Sequence, residues 1–302
     1  MPPHCSIVFS EAHCHAESAE SRPETSAVCA RNMTCGNCST PLPKLASHAF
    51  LAAVRGRRFA FVGDSVAMQM ECDLRSALSA PELELTLRCG RDGFSYHAKD
   101  GSFVAASKFI WSCPKRCPGK GGASAADALA HASVVVFNSG VHYRETMLHK
   151  MRADLTNINR LELEPTLAAN ATVVFRSQVA THFASATGDY NASAPRRACT
   201  RVSPPGVLPP VLQKREALLR EAARNLSYSR VLRGGGQEGT DPHRRGRVLY
   251  LDILGMSDID PSMHPRYHSG RPVVGDCVHQ CMDCDMLRAW NSQLAALLAA
   301  AA

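Results

Sequence analysis

The sequence predicts an α/β domain with a central, mostly parallel sheet and helices on both faces. Two observations carry this. Four short apolar runs stand at residues 59–62, 133–137, 172–175 and 247–251, and helical stripes lie between them. Strands buried on both faces read as short continuous apolar runs, and strands that alternate with helices build parallel sheets. A third observation bears on function. The runs are closed by polar residues: Ser65 (after Gly63-Asp64), Asn138, Arg176 and Asp252. Ligands of open parallel sheets bind outside the carboxyl ends of the strands. A hydroxyl, an amide, a guanidinium and a carboxylate are therefore expected on one edge.

The elements follow in order. Residues 1–50 are rich in Cys, Ser, Pro and His without a sustained period, and read as a disulfide-tied N-terminal extension to a domain at 51–302. A helix at 45–55 leads into the first strand. Beyond Ser65, apolar residues at Val66, Met70, Leu74 and Leu78 make one stripe of an amphipathic helix. Residues 82–88 put Leu83, Leu85 and Leu87 on one face of a half-buried strand, and 103–111 is a further strand. Helical stripes recur at Leu148, Met151, Leu155 and Ile158, at Leu212, Leu219, Ala222 and Leu226, and at Leu287, Trp290, Leu294 and Leu297. Residues 114–126 and 233–247 are rich in glycine and charge and read as exposed loops.

Composition narrows the setting. With 302 residues and 45% apolar content the chain can bury a large core. Its net charge of +7 is scattered and not interleaved with aromatic residues, so a nucleic-acid partner is not expected. Thirteen cysteines, and five of nine asparagines in Asn-x-Ser/Thr sequons, point to an oxidising lumen of the secretory pathway. No stretch approaches the roughly 18 apolar residues that span a bilayer. The start, Met1-Pro2-Pro3-His4-Cys5, lacks the apolar core of a signal peptide. Any membrane anchor is expected outside this chain.

Ser65 stands at a strand-to-helix turn, where free N–H groups at a helix N-terminus can stabilise an oxyanion. Asn138 closes the second run and can add an amide donor, with Gly140 letting the backbone approach closely. A serine nucleophile needs a base, and the base needs a carboxylate to fix its tautomer. Asp276 and His279, three residues apart before the last helix, can supply both. A rival pair, Asp260 and His264, lies in a Pro-rich segment. Cys277, His279, Cys281 and Cys284 also resemble a zinc cluster, but the other cysteines favour disulfides. No metal and no resident cofactor are expected.

The motif order resembles that of the trichome-birefringence-like proteins, in the PC-esterase branch of the GDSL/SGNH superfamily. The residues that carry it are 51–65 ending in Gly63-Asp64-Ser65, then Val135-Val136-Phe137-Asn138-Ser139-Gly140. They continue with Val174-Phe175-Arg176-Ser177 and His182-Phe183, then Gly188-Asp189-Tyr190-Asn191 and Cys199, and Leu251-Asp252-Ile253. The last are His264-Pro265, Asp276-Cys277-Val278-His279-Gln280-Cys281 and Trp290-Asn291. The resemblance implies an SGNH-type three-layer α/β/α sandwich and O-acetyl transfer to cell-wall polysaccharide in the Golgi lumen. It implies Ser65 as nucleophile, His279 as base, Asp276 as its partner and Asn138 in the oxyanion hole, beside which the residue reading puts Gly140. Arg176 and His182 match a block near the active site and are expected at substrate, with His264 beside them. Cys277 and Cys281 match family cysteines used in disulfides, and Cys199 is a further candidate. The partners implied are an acetyl donor, as co-substrate, and a glycan acceptor. Gln280 stands where the family usually has Trp, Met282-Asp283-Cys284 replaces a Pro-Gly-rich stretch, and Gly90 and Gly93 both stand where a second oxyanion glycine would. The alternatives to transfer are an acetylesterase using the same triad and a non-catalytic glycan-binding or zinc-stabilised module.

Overall fold

Strand β2 (Arg57–Gly63) is fully apolar from Phe59 to Val62, and it becomes the spine of the sheet because both its faces are covered. The computed structural model describes residues 33–34, 42–90, 93–111, 129–157, 167, 170–183, 185, 199–201, 203–204, 207–234, 247–268, 271–272, 275–281 and 284–301. Phe59 and Phe61 point into one core cluster and Ala60 and Val62 into the other. The same alternation holds in β6 (Val134–Phe137) and β7 (Thr172–Arg176), as the period of two in a strand requires.

The sheet has seven strands in the order β3-β4-β5-β2-β6-β7-β8, with β3 (Thr86–Gly90), β4 (Gly93–His97), β5 (Phe103–Trp111) and β8 (Val248–Leu251) completing it. Strands β5, β2, β6, β7 and β8 run parallel, whereas β4 pairs antiparallel with both β3 and β5. One face is covered by α1 (Ser47–Val54), α2 (Ser65–Leu78) and α6 (Asp285–Ala300), which bury Phe50, Met70, Leu74 and Trp290. The other face carries α3 (Leu148–Asn157) and α4 (Pro210–Gly234), through Met151, Leu155, Leu219 and Leu226. Helices on both faces of a mostly parallel sheet are what the apolar runs and helical stripes imply. Each fully buried Leu or Phe of this kind contributes about 1.5–3 kcal/mol.

Three elements depart from the sequence reading. Residues 81–83 form a 3-10 turn, because Pro81 fixes its own φ and lacks an N–H, and Glu84 then adopts a left-handed φ of 50°. The strand expected from residue 82 thus begins at Thr86. Strand β4 has only Phe94 and Tyr96 as apolar residues, too few to stand out. The packed body also begins before residue 51. Leu42 and Phe50 are core residues, and Met33–Thr34 (β1) pairs with Tyr267–His268 (β9), itself paired with Arg271–Pro272 (β10). The loop expected at 114–126 and most of that at 233–247 lie outside the described residues.

The chain leaves β2 toward β5 on one side and takes up β6 on the other, so β2 and β6 flank the switch point of the sheet, where ligands bind in folds of this kind. The two strands close together at their carboxyl ends. A Cβ at Gly63 would run into the main-chain carbonyl of Asn138 and sit 3.1 Å from the Ala67 Cβ. Gly63→Ala is therefore expected to destabilise the protein by about 1–3 kcal/mol, as overpacking of a tight core does. Chemical denaturation measures this, and an unchanged midpoint would contradict the close approach.

Candidate active site

Helix α2 starts at Ser65 because Asp64 caps it. The Asp64 carboxylate accepts from the N–H groups of Val66 at 3.0 Å and Ala67 at 3.4 Å. The Met68 N–H donates to the Asp64 carbonyl at 3.1 Å. The cap takes two of the first N–H groups and leaves that of Ser65 without a partner among the described residues. At the head of a fourteen-residue helix this group carries part of the positive end of the dipole.

The Ser65 hydroxyl lies 2.6 Å from Nε2 of His279, a residue 214 positions away. Nδ1 of the same ring is 2.9 Å from each carboxylate oxygen of Asp276. A carboxylate only accepts, so Nδ1 carries the proton and Nε2 is left to accept from the serine. Hydroxyl, imidazole and carboxylate form one chain, and the side chains of His279 and Asp276 keep 21% and 23% of their exposure to solvent. Burial pulls the His279 pKa down, but the hydrogen bond and charge of Asp276, with the charge of Asp64, raise it above the ordinary histidine value. Burial pushes Asp276 up, and its bonds to His279 outweigh that and hold it at about 2.

The loop at 275–281 has no regular secondary structure, yet nearly every residue in it is tethered. Cys277 is bonded to Cys199, and its carbonyl accepts from the His182 N–H at 3.1 Å. The His279 carbonyl accepts from Nδ1 of His264 at 2.6 Å. Gln280 is held at both backbone groups by the side chain of Gln69, which accepts from its N–H at 3.1 Å and donates to its carbonyl at 2.6 Å. The Cys281 N–H donates to the Met263 carbonyl at 2.9 Å. Gln69 stands one helical turn after Ser65, so one helix fixes both Ser65 and the residue beside His279. The sequence reading missed it. No local pattern marks it, since its partner lies 211 positions away and its burial, to 2% exposure, exists only in the fold.

The other expected site residues sit differently. The Asn138 amide donates to the carbonyls of Arg176 at 2.8 Å and Ser177 at 3.2 Å, lacing the end of β6 to that of β7. Its Nδ2 thereby faces two carbonyls, whereas the Ser65 N–H has no partner among the described residues. Gly140 does permit a close approach, but to the side-chain amide of Gln178, which donates to the Ser139 carbonyl at 2.9 Å. Arg176 is fully buried, 6.0 Å from the Trp290 ring centre. Burial lowers its pKa to about 10 against the charges of Asp64, Tyr250 and Glu216. His182 and His264 are 2% and 3% exposed and stand behind the base loop. All three were expected at substrate, and burial takes them off the open side of the site.

The ring nitrogens of His264 face the His279 carbonyl and His182, and Asp260 has another role. Its carboxylate accepts from the Ser262 N–H at 2.8 Å and caps the 3-10 turn Pro261–Met263. The Asp252 carboxylate accepts from the N–H of Leu254, the first residue of α5 (Leu254–Ser257), at 3.2 Å and takes the Arg220 guanidinium at 2.8 Å. Among the would-be zinc ligands Cys277, Cys281 and Cys284 are disulfide-bonded, which leaves them no thiolate to offer. Gly188, Asp189, Tyr190 and Asn191 lie outside the described residues.

A base with a raised pKa loses function as pH falls. The rate of any Ser65 chemistry should drop on the acid side with a midpoint above the ordinary histidine value of about 6.5. Asp276→Asn removes the hydrogen bond and charge that hold the imidazolium, so imidazole NMR should show His279 titrating at lower pH, with the rate reduced by several orders of magnitude. A midpoint that stays or rises would contradict the pairing. Reducing Cys199–Cys277 should inactivate before it unfolds, because a base displaced by about 1 Å costs on the order of a hundredfold in rate. Activity and far-UV circular dichroism followed together against reductant read this, and simultaneous loss would contradict it.

The chain matches no protein-family model and no curated protein.

Proposed function

We propose that the protein is a serine-dependent O-acyltransferase that moves an acetyl group onto a hydroxyl of a glycan. The observation that carries this reading is the unbroken chain Ser65–His279–Asp276, assembled from the end of β2 and a loop 214 residues later. Ser65 Oγ attacks the acetyl carbonyl and its proton passes to His279 Nε2. The Ser65 N–H receives the oxyanion at the helix N-terminus. Collapse of the tetrahedral species expels the donor's leaving group, which takes the proton from Nε2, and leaves acetyl-Ser65. A sugar hydroxyl then gives its proton to Nε2 and attacks the acetyl-enzyme, and collapse of the second tetrahedral species releases the acetylated sugar as Ser65 Oγ takes the proton back from Nε2. Asp276 keeps Nδ1–H throughout.

The sheet order β5-β2-β6-β7-β8, with Ser65 and Asn138 at the switch point, supports an SGNH-type assignment of the domain. The glycan acceptor and the Golgi lumen are supported by the motif resemblance, the sequons and the Cys199–Cys277 disulfide. Among the described residues no helix is long and apolar enough to cross a membrane.

Water competes with the sugar for the same acyl-enzyme, and hydrolysis would make the protein an acetylesterase. The purified chain, given an activated acetyl ester with and without oligosaccharides, should acetylate the sugar. Release of acetate alone, unaffected by any oligosaccharide, would replace transfer by hydrolysis. Ser65→Ala should lose fluorophosphonate labelling and fall in rate by several orders of magnitude. Full activity in that variant would end the serine mechanism.

A further inference from the structure

Two buried imidazoles take no part in the acyl-transfer steps. Nδ1 of His264 is 2.6 Å from the His279 carbonyl, and its Nε2 is 2.6 Å from Nδ1 of His182. Nε2 of His182 is 3.1 Å from the Asp258 carboxylate, which also takes the Arg201 Nε at 3.4 Å. The rings meet edge to face, 4.9 Å between centres. A chain of three contacts thus runs from an ion pair at the surface of the loops to the backbone of the base.

Counting protons fixes its state. A carbonyl only accepts, so His264 carries a proton on Nδ1. Neutral His264 then has a bare Nε2, and the 2.6 Å contact is a hydrogen bond when His182 carries its proton on Nδ1. Neutral His182 in that tautomer turns a bare Nε2 toward Asp258, one acceptor against another. Three contacts need three protons, and two neutral imidazoles hold two.

We propose that His264 is a positioning residue for the base, and that His182 and His264 bind one shared proton which closes the relay onto Asp258. This rests on the reading of Ser65, Asp276 and His279 as an acyl-transfer triad. At His182 the proton is opposed by burial and Arg201 and favoured by Asp258 and Asp260. At His264 it is opposed by burial, His182 and His279 and favoured by the His279 carbonyl and Asp276, and the balance puts that pKa at about 4. The shared proton therefore enters on the acid side of neutrality, below the titration of His279. While His279 is neutral and working, the relay is neutral too. It then holds the base through His264 Nδ1–H, and Asp258 is left to Arg201.

The test uses the full chain. His264→Ala removes the donor to the His279 carbonyl and should lower kcat by about tenfold to a hundredfold, the scale of a misplaced catalytic group. KM should move by less than about twofold, since no substrate contact is lost. His264→Asn puts an amide where Nδ1 stood and should recover most of kcat, with a melting temperature near that of the parent. Imidazole NMR on the nitrogen-labelled protein reads the relay without any activity. It should show His264 protonated at Nδ1, and acidification should add one proton to the pair rather than one to each ring. Wild-type kcat in His264→Ala, no recovery in His264→Asn, or two independent titrations would each overturn the proposal. Persistent activity in Ser65→Ala would instead overturn the triad, while the NMR result would still stand on its own.

Discussion

The structure depends on holding one irregular loop against one helix. Ser65 owes its position to β2 and α2, both buried and regular, but His279 sits where no ladder or helix fixes the backbone. Backbone groups away from water must find partners, and here side chains supply them. Gln69 takes both groups of Gln280, His264 takes the His279 carbonyl, and the Cys199–Cys277 bond fixes the residue after Asp276. Each tether is worth only about 1 kcal/mol or somewhat more as a hydrogen bond, yet together they set an imidazole to hydrogen-bond distance of a hydroxyl.

Electrostatics follow from the same arrangement. Asp64 does two things at once: it caps α2, and its charge helps to raise the pKa of His279. Arg176 is fully buried, with Nε and Nη2 unpartnered among the described residues. A buried charge is costly unless opposite charge is near, and the charges of Asp64 and Glu216 both favour the guanidinium. With its pKa at about 10 the guanidinium keeps its charge at neutral pH, opposite in sign to that of Asp64. The cation at the sheet edge thus serves the cap rather than the open face.

Much of this was legible in the sequence. The apolar runs marked β2, β6 and β7, because central parallel strands are apolar on both faces, and they also marked β8, a partly buried edge strand. The contact of Ser65, His279 and Asp276 was legible because Gly63-Asp64-Ser65 lies at a strand-to-helix junction and Asp276 and His279 share one turn. The roles of Arg176, His182 and His264 were not. A polar residue at a strand end can face the cleft or turn inward, and spacing along the chain does not distinguish the two. Gln69, Asp258 and Arg201 were invisible for a related reason. Their partners are backbone groups and side chains far along the chain, and only the folded loops bring them together. Glu84, by contrast, was a local matter, since Pro81 starts a 3-10 turn that an alternating leucine pattern conceals.

The central claim is that Ser65 becomes covalently acetylated. Rapid acid quench of the protein during turnover of an activated acetyl ester, followed by proteolysis and mass spectrometry, tests it most directly. The account predicts one acetyl group on the peptide that contains Ser65, lost on adding the acceptor sugar and absent in His279→Ala. Turnover that proceeds at full rate with no acetyl on that peptide, or with the acetyl on another residue, would contradict it.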